Sequence, residues 1–321
     1  MAALVQLGCC CVLAASAEAD SLYVDPGNSA CSDGASLAIA SNPATPWCSA
    51  GPATRLARPG DVIHLAAARY PALRPATSGT PAQPIVYVGD AGATIAPAPA
   101  AVGVMVVGVH DLVLRGMRIV ASANQGVAID NAQNILLDHD TVTNSGGSGV
   151  WIKHGSAVTM TSSALVGNAR AGLVDSQYAS GTRLIGSTVS GNGIDGKQYG
   201  GDGVELDGAN EAVRSSTISG NGDGIGFEHG IYVGQTATDY SITGNRISGN
   251  AGADIKATGG AGVIAYNTLG SGMWGLVLSD NSTLVTVEYN LVQGRFQHGI
   301  FLTTGTTAAR ARLLNNTVEQ T

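Results

Sequence analysis

The sequence predicts an all-β fold: a single-stranded, right-handed parallel β-helix (a solenoid) with a short N-terminal capping helix. Three observations predict it. The composition holds 45 glycines and only 5% aromatic residues in 321, with Ser, Thr and Asn abundant; Gly, Asn and β-branched residues disfavour helices and suit short strands joined by tight turns. A Gly-apolar-any-apolar motif recurs at Gly126, Gly149, Gly203, Gly230, Gly275 and Gly299, with imperfect copies at Gly172 and Asp254. A second apolar column runs in step with it, centred on Val142, Leu165, Val189, Ile218, Ile247, Leu269, Val292 and Val318.

The motif spacings are 23, 23, 31, 27, 24, 21 and 24 residues. Two alternating strand signals per repeat, with no two-residue turn between them, exclude a hairpin array. Each strand must pair with its counterpart one repeat on, which stacks coils of parallel strands. Parallel crossovers are right-handed. A propeller blade would need four antiparallel strands and a longer period. Four members of the second column are followed by Gly-Asn, at Gly167-Asn168, Gly191-Asn192, Gly220-Asn221 and Gly249-Asn250. Each Asn is expected to take the left-handed turn conformation, and the set to form a hydrogen-bonded ladder between coils.

From the N-terminus, residues 1–19 read as an export signal: Leu4–Ala15 is apolar but too short to span a bilayer, and Ala17-Glu18-Ala19 resembles a cleavage site. No basic residue precedes the apolar stretch, so the expected start lies further upstream. Cys31 and Cys48 remain after that signal, and an even pair in an exported chain is expected to form a disulfide, with two buried thiols as the alternative. Residues 20–84 form an N-terminal cap and first coil, with a helix expected within Cys48–Ala57 and ended by Pro59-Gly60. Strands are expected at Asp61-Val-Ile-His-Leu, where His64 fills the early core, at Pro84-Ile-Val-Tyr-Val, and at Met105 and Leu112. Residues 85–321 are then the coils. No later segment is apolar enough to span a membrane. The net charge of −7, with no basic run, argues against nucleic acid as a partner.

The block Leu22-Tyr-Val-Asp-Pro-Gly-Asn, Pro59-Gly-Asp-Val-Ile, Tyr70 and Ser78-Gly-Thr resembles the opening of exported pectate lyases in the pectate-lyase-like superfamily of parallel β-helices. That resemblance implies a polysaccharide partner and a secreted protein. The superfamily's fold carries lyases, hydrolases, epimerases and non-catalytic adhesins, so function must come from the site.

In each motif the apolar residues point inward and the residue between them points out. Stacking the coils gives an outward column of Ala128, Trp151, Val174, Glu205, Tyr232, Lys256, Val277 and Phe301. Glu205, Tyr232 and Lys256 become consecutive neighbours about 4.8 Å apart. Asp202, Asp207 and His229 flank them, beside the long inserts Gly193–Gly201 and Gly222–Glu228. A solvated face with scattered charges is the competing explanation.

Asp202-Gly-Val-Glu205-Leu-Asp207 is similar to the Asp-Gly-x-Asp-Leu calcium motif of calcium-dependent β-helix pectate lyases, which implies Ca²⁺ held by Asp202, Glu205 and Asp207. Lys256 is the expected base of a β-elimination, and Tyr232 or His229 the expected acid. In that family the base is a Lys one coil after the calcium motif, where Gly222–Glu228 here has none. Trp151, Lys153, Asp223 and Glu228 are expected to bind substrate, Trp151 by stacking a sugar ring. Gly222-Asp223-Gly, His229-Gly and Asp254-Ile-Lys256 also resemble the polygalacturonase motif series, which implies hydrolysis by paired carboxylates. Three functions follow in order: a lyase acting on an acidic, uronate-containing polysaccharide, a non-catalytic glycan-binding or surface-structural β-helix, and a polygalacturonase-like hydrolase.

Overall fold

The computed structural model of the chain describes residues 19–98, 101–120, 123–196, 200–224, 228–279, 284–294, 296–303 and 310–320. The export-signal expectation and Cys9, Cys10 and Cys11 lie outside them. So do the tips of both long inserts, residues 197–199 and 225–227. Among the described residues the strands form three parallel sheets of 12, 11 and 9 strands, and beyond the first N-terminal strands the order in each sheet skips two strands at every step. The chain therefore coils, visiting the three sheets in turn. No described helix is long and apolar enough to cross a membrane.

From His110 to Leu302 each coil carries three strands rather than the two expected. The strands expected at residues 61–65 and 84–88 and at Leu112 belong to the 12-stranded sheet; its later members were missed, and in them Leu137, Met160, Leu184, Val213, Ile242, Ile264 and Val287 pair in register and are buried. They escaped notice because a two-residue corner separates them from the next strand: Ala132–Asp138 is followed at once by Thr141–Thr143. The second apolar column is the 11-stranded sheet, and the Gly-apolar-any-apolar motif is the 9-stranded one. All three inner faces fill one continuous aliphatic core. Fully burying each such side chain is worth roughly 2 kcal/mol.

The corner between the second and third sheets explains two sequence features. Asn168 Nδ2 donates to Asn192 Oδ1 at 2.8 Å, Asn192 to Asn221 at 2.9 Å and Asn221 to Asn250 at 2.9 Å, all buried. The ladder is as expected, but the left-handed residue is the preceding glycine, with φ of 64, 60, 60 and 67° at Gly167, Gly191, Gly220 and Gly249. The motif glycines clear room for this ladder. A Cβ at Gly203 would lie 2.5 Å from the Gly230 carbonyl oxygen and 2.7 Å from Asn221 Nδ2. A second ladder, not foreseen, joins Asn245, Asn267, Asn290 and Asn316 at the corner between the first and second sheets.

At the N-terminal end a helix spans Ala50–Leu56, its Ser49 Oγ accepting from the Gly51 amide. Cys31 and Cys48 form a disulfide across a separation of 17 residues. His64 does not enter the core. Ile63 and Leu65 point inward, so alternation turns His64 out, where it stacks on Tyr23 at 5.1 Å.

Candidate functional site

The expected outward column exists. In the third sheet, register pairs Ala128 with Trp151, Trp151 with Val174, Val174 with Glu205, Glu205 with Tyr232, Tyr232 with Lys256, and Lys256 with Val277. Val204, Leu206, Ile231, Val233, Ile255 and Ala257 are buried on the other side of the same strands. Glu205, Tyr232 and Lys256 thus occupy successive coils of one face. Lys256 Nζ lies 5.7 Å from the centre of the Tyr232 ring, a cation–π contact.

Beside this column lies a cleft of about 530 Å³, lined by Glu205, Asp207, Tyr232, Asp175, Tyr178 and Gln235 among others. Burial pushes the Glu205 carboxyl up to about 7, with the charges of Asp207 and Asp175 adding to it and Arg170 opposing. Burial and Asp175 also raise Asp207. The Asp207 side chain lies across Gly234 of the next coil, where a Cβ would collide with its Oδ1. Tyr232 is raised by burial and stays protonated, with Thr258 Oγ1 3.4 Å from its hydroxyl.

Asp175 was not singled out from the sequence, although Gly172-Leu-Val-Asp was noted as an imperfect repeat. Its register partner is Ile152, so it occupies an inward position that is aliphatic in neighbouring coils. There it accepts from the Asp207 amide at 2.8 Å, while Glu211 accepts from Gly208 at 2.7 Å. Burial raises Asp175 and Glu211 alike, and the neighbouring Asp175 carboxyl raises Glu211 further. Glu211, pushed up to about 10, keeps its proton at neutral pH, so the pair carries at most one charge beneath the cleft, and the two carboxyls hold the turn that carries Asp207. The clue was an acid at an inward strand position. Arg170, against Gly200, and Tyr178 came from turns that the repeat alignment does not reach.

Other expected site residues sit deeper. His229 is 2% exposed and Asp202 6%. The His229 amide donates to Asp202 Oδ1, and the Ala253 amide donates to His229 Nδ1, which leaves the imidazole proton on Nε2. Burial, with Lys256 adding, lowers the His229 pKa to about 3, so the ring is neutral. It stacks on Tyr232 at 5.9 Å and supports that ring from below. Glu228 is buried against Gly201 and Gly222 instead of lining the surface. Asp223 is half-buried in the same turn. Trp151 is half-buried two coils before Glu205, and Lys153 stands 3.8 Å from Asp130, which also binds His154 Nδ1 at 2.7 Å.

The calcium expectation requires Asp202, Glu205 and Asp207 to meet. Asp202 is buried, with burial holding its pKa well above the usual carboxylate range, and Asp207 leans over Gly234. Among the described residues no three His, Cys, Asp or Glu side chains are placed to hold a metal ion. The carboxyls do not fit a calcium site in this arrangement, and no chemical step below runs through one.

No curated protein matches the sequence. In fold the chain is similar to pectate lyase Pel9A, with TM-score 0.65 and 16% identity over 91% of this chain and 78% of that one. It is also similar to a GH136 lacto-N-biosidase from Eubacterium ramulus, with TM-score 0.64 and 14% identity over 93% and 68%. A third similar structure is PfbA, a surface adhesin of Streptococcus pneumoniae, with TM-score 0.55 and 12% identity over 80% and 82%. Identities this low speak for the fold alone. The sequence pattern of the right-handed β-helix region matches residues 102–261 and 177–321, together more than half of the chain. The chain belongs to the right-handed β-helix family and has the pectate-lyase-like fold.

Proposed function

We propose that the protein is exported and cleaves a uronate-containing polysaccharide by β-elimination at the Glu205–Tyr232–Lys256 column. The observation that carries this reading is the register that sets a carboxyl, a phenol and an ammonium on three successive coils of one face. The disulfide suits an oxidising compartment, and the helix at Ala50–Leu56 serves to close the solenoid's first coil. Pectate lyase Pel9A has the same fold, which raises the prior without deciding the chemistry.

Elimination needs the sugar carboxylate neutralised, a base for the C5 proton and a donor for the leaving oxygen. Lys256 supplies a cation for the carboxylate. The sequence nominated it as the base, but Glu205, pushed to about 7, is better matched to taking a proton near neutrality. As the C5–H bond breaks, its electron pair forms the C4–C5 double bond and the C4–O4 bond breaks. The proton passes to Glu205, and O4 takes one from the Tyr232 hydroxyl, which Glu205 then restores.

The test is ultraviolet absorbance of the unsaturated product on a panel of uronate polymers, with calcium and with chelator, for wild type and Lys256→Ala. Absorbance on one polymer, lost in the variant, supports the reading; the chelator arm tests calcium separately. Retention on a polymer without cleavage identifies a binder. New reducing ends without the absorbance identify a hydrolase, the second reading favoured by the raised carboxyls of Glu205 and Asp207 in one cleft.

A further inference from the structure

Away from the cleft, the corner between the first and second sheets carries a feature that the chemistry above does not use. Tyr266 and Tyr289 occupy the same corner position in successive coils. Their rings stack at 5.1 Å and 1°, yet their side chains are 61% and 47% exposed. Both have left-handed backbone, with φ of 57 and 53°. That conformation is uncommon and strained for bulky residues. Glycine fills the same corner at Gly186 and Gly244, where φ is 57 and 66°. Neither core packing nor turn geometry accounts for an aromatic residue there.

The surroundings complete a site. One coil before Tyr266 the corner residue is Gly244, and a Cβ there would find nothing nearer than Ser215 Oγ at 3.8 Å. The free face of the Tyr266 ring therefore looks along an open trough floored by Gly244, Ser215 and Gly186. Arg214 and Arg246 border it from the two sheets: Arg214 pairs with Thr243, and Arg246 with Thr217 and Thr268. Both arginines are exposed and make no ion pair among the described residues. Glu288, the nearest acid along the first sheet, sits beyond Tyr266, beside Tyr289.

We propose that this corner is a second, non-catalytic binding site for a uronate-containing chain. A sugar ring stacks on Tyr266 over Gly244, and its carboxylate pairs with Arg214 or Arg246. Guanidinium groups match a carboxylate with paired donors, and an aromatic face suits the apolar face of a pyranose. The choice of polymer rests on the reading of the cleft above; the site itself does not. Its role is to hold a long chain on the solenoid while the cleft works elsewhere along it, which raises the effective concentration of substrate.

The experiment measures affinity for polygalacturonate, alginate and a neutral glucan by affinity electrophoresis, using wild type, Tyr266→Asn and Arg214→Gln/Arg246→Gln. Asn tolerates the left-handed backbone, so Tyr266→Asn removes the ring without breaking the turn, and an unchanged Tm confirms this. The proposal expects one uronate polymer to lose affinity about tenfold in each variant, with the rate on a short oligomer unchanged. Unaltered affinity in both variants overturns it, as does an equal loss on the neutral glucan or no uronate binding by wild type. If the cleft reading alone is wrong, no unsaturated product forms, while binding and its dependence on Tyr266 persist.

Discussion

Replacing Glu205 with Gln should make the protein more stable at neutral pH and less active. Burial raises this carboxyl from 4.5 to about 7. The folded state therefore holds its proton more tightly than the unfolded chain does. Below pH 4.5 the group is protonated in both states and costs nothing. Between 4.5 and about 7 the folded state binds more protons, so stability falls as pH rises; above 7 the full penalty is present. At about 1.4 kcal/mol per pH unit the shift corresponds to roughly 3 kcal/mol, and residual solvent contact reduces this toward about 2 kcal/mol. Gln keeps the shape without the charge. Urea denaturation of wild type and Glu205→Gln, run from pH 4 to about 8, should show the variant gaining on wild type through that window and then levelling. Cleavage by wild type should rise as pH passes through about 7, because the ionised form is the base, and Glu205→Gln should lose it. A stability difference that does not change with pH would mean that Glu205 is not a buried, shifted acid.

Other expectations follow from single contacts. Asn192→Ala removes four hydrogen bonds, two from Asn168 and one each to Leu165 and Asn221. With buried partners left unsatisfied, equilibrium unfolding should register a loss of about 3–5 kcal/mol; a loss below about 1 kcal/mol would refute the ladder's structural role. Gly203→Ala forces a Cβ against the Gly230 carbonyl and Asn221, and should cost about 1–3 kcal/mol by the same method. Replacing Cys31 and Cys48 together by Ser opens a 17-residue separation and should cost about 3 kcal/mol, with protease cleavage appearing first between them. A pattern that begins elsewhere would argue against the disulfide as the lock on this end.

The repeat was legible because an inward apolar residue every other position, repeated at the length of one coil, leaves little choice but parallel stacking. Register followed from it, which is why Glu205, Tyr232 and Lys256 could be aligned before any coordinates. The third strand went unassigned beyond Leu112 because only two corner residues separate it from the next strand, as between Asp138 and Thr141. Burial at the motif edges was less legible. Asp202 and His229 precede the motif glycine, where the chain leaves the ladder corner, and strand alternation does not extend to them. His64 shows the opposite case, in which alternation should have been trusted over its apolar neighbours. Asp175 was visible as a broken repeat, but an acid in an inward position only makes sense once Glu211 and the 207–208 turn are seen beside it.

The most direct measurement is the mass of the fragments released from a defined uronate oligomer. Elimination leaves a new non-reducing end lighter by one water than hydrolysis does. The account predicts that lighter fragment from the wild-type protein and its absence from both Glu205→Gln and Lys256→Ala. Fragments carrying the added water, or the lighter fragment formed equally well by both variants, would contradict the column as the seat of an elimination.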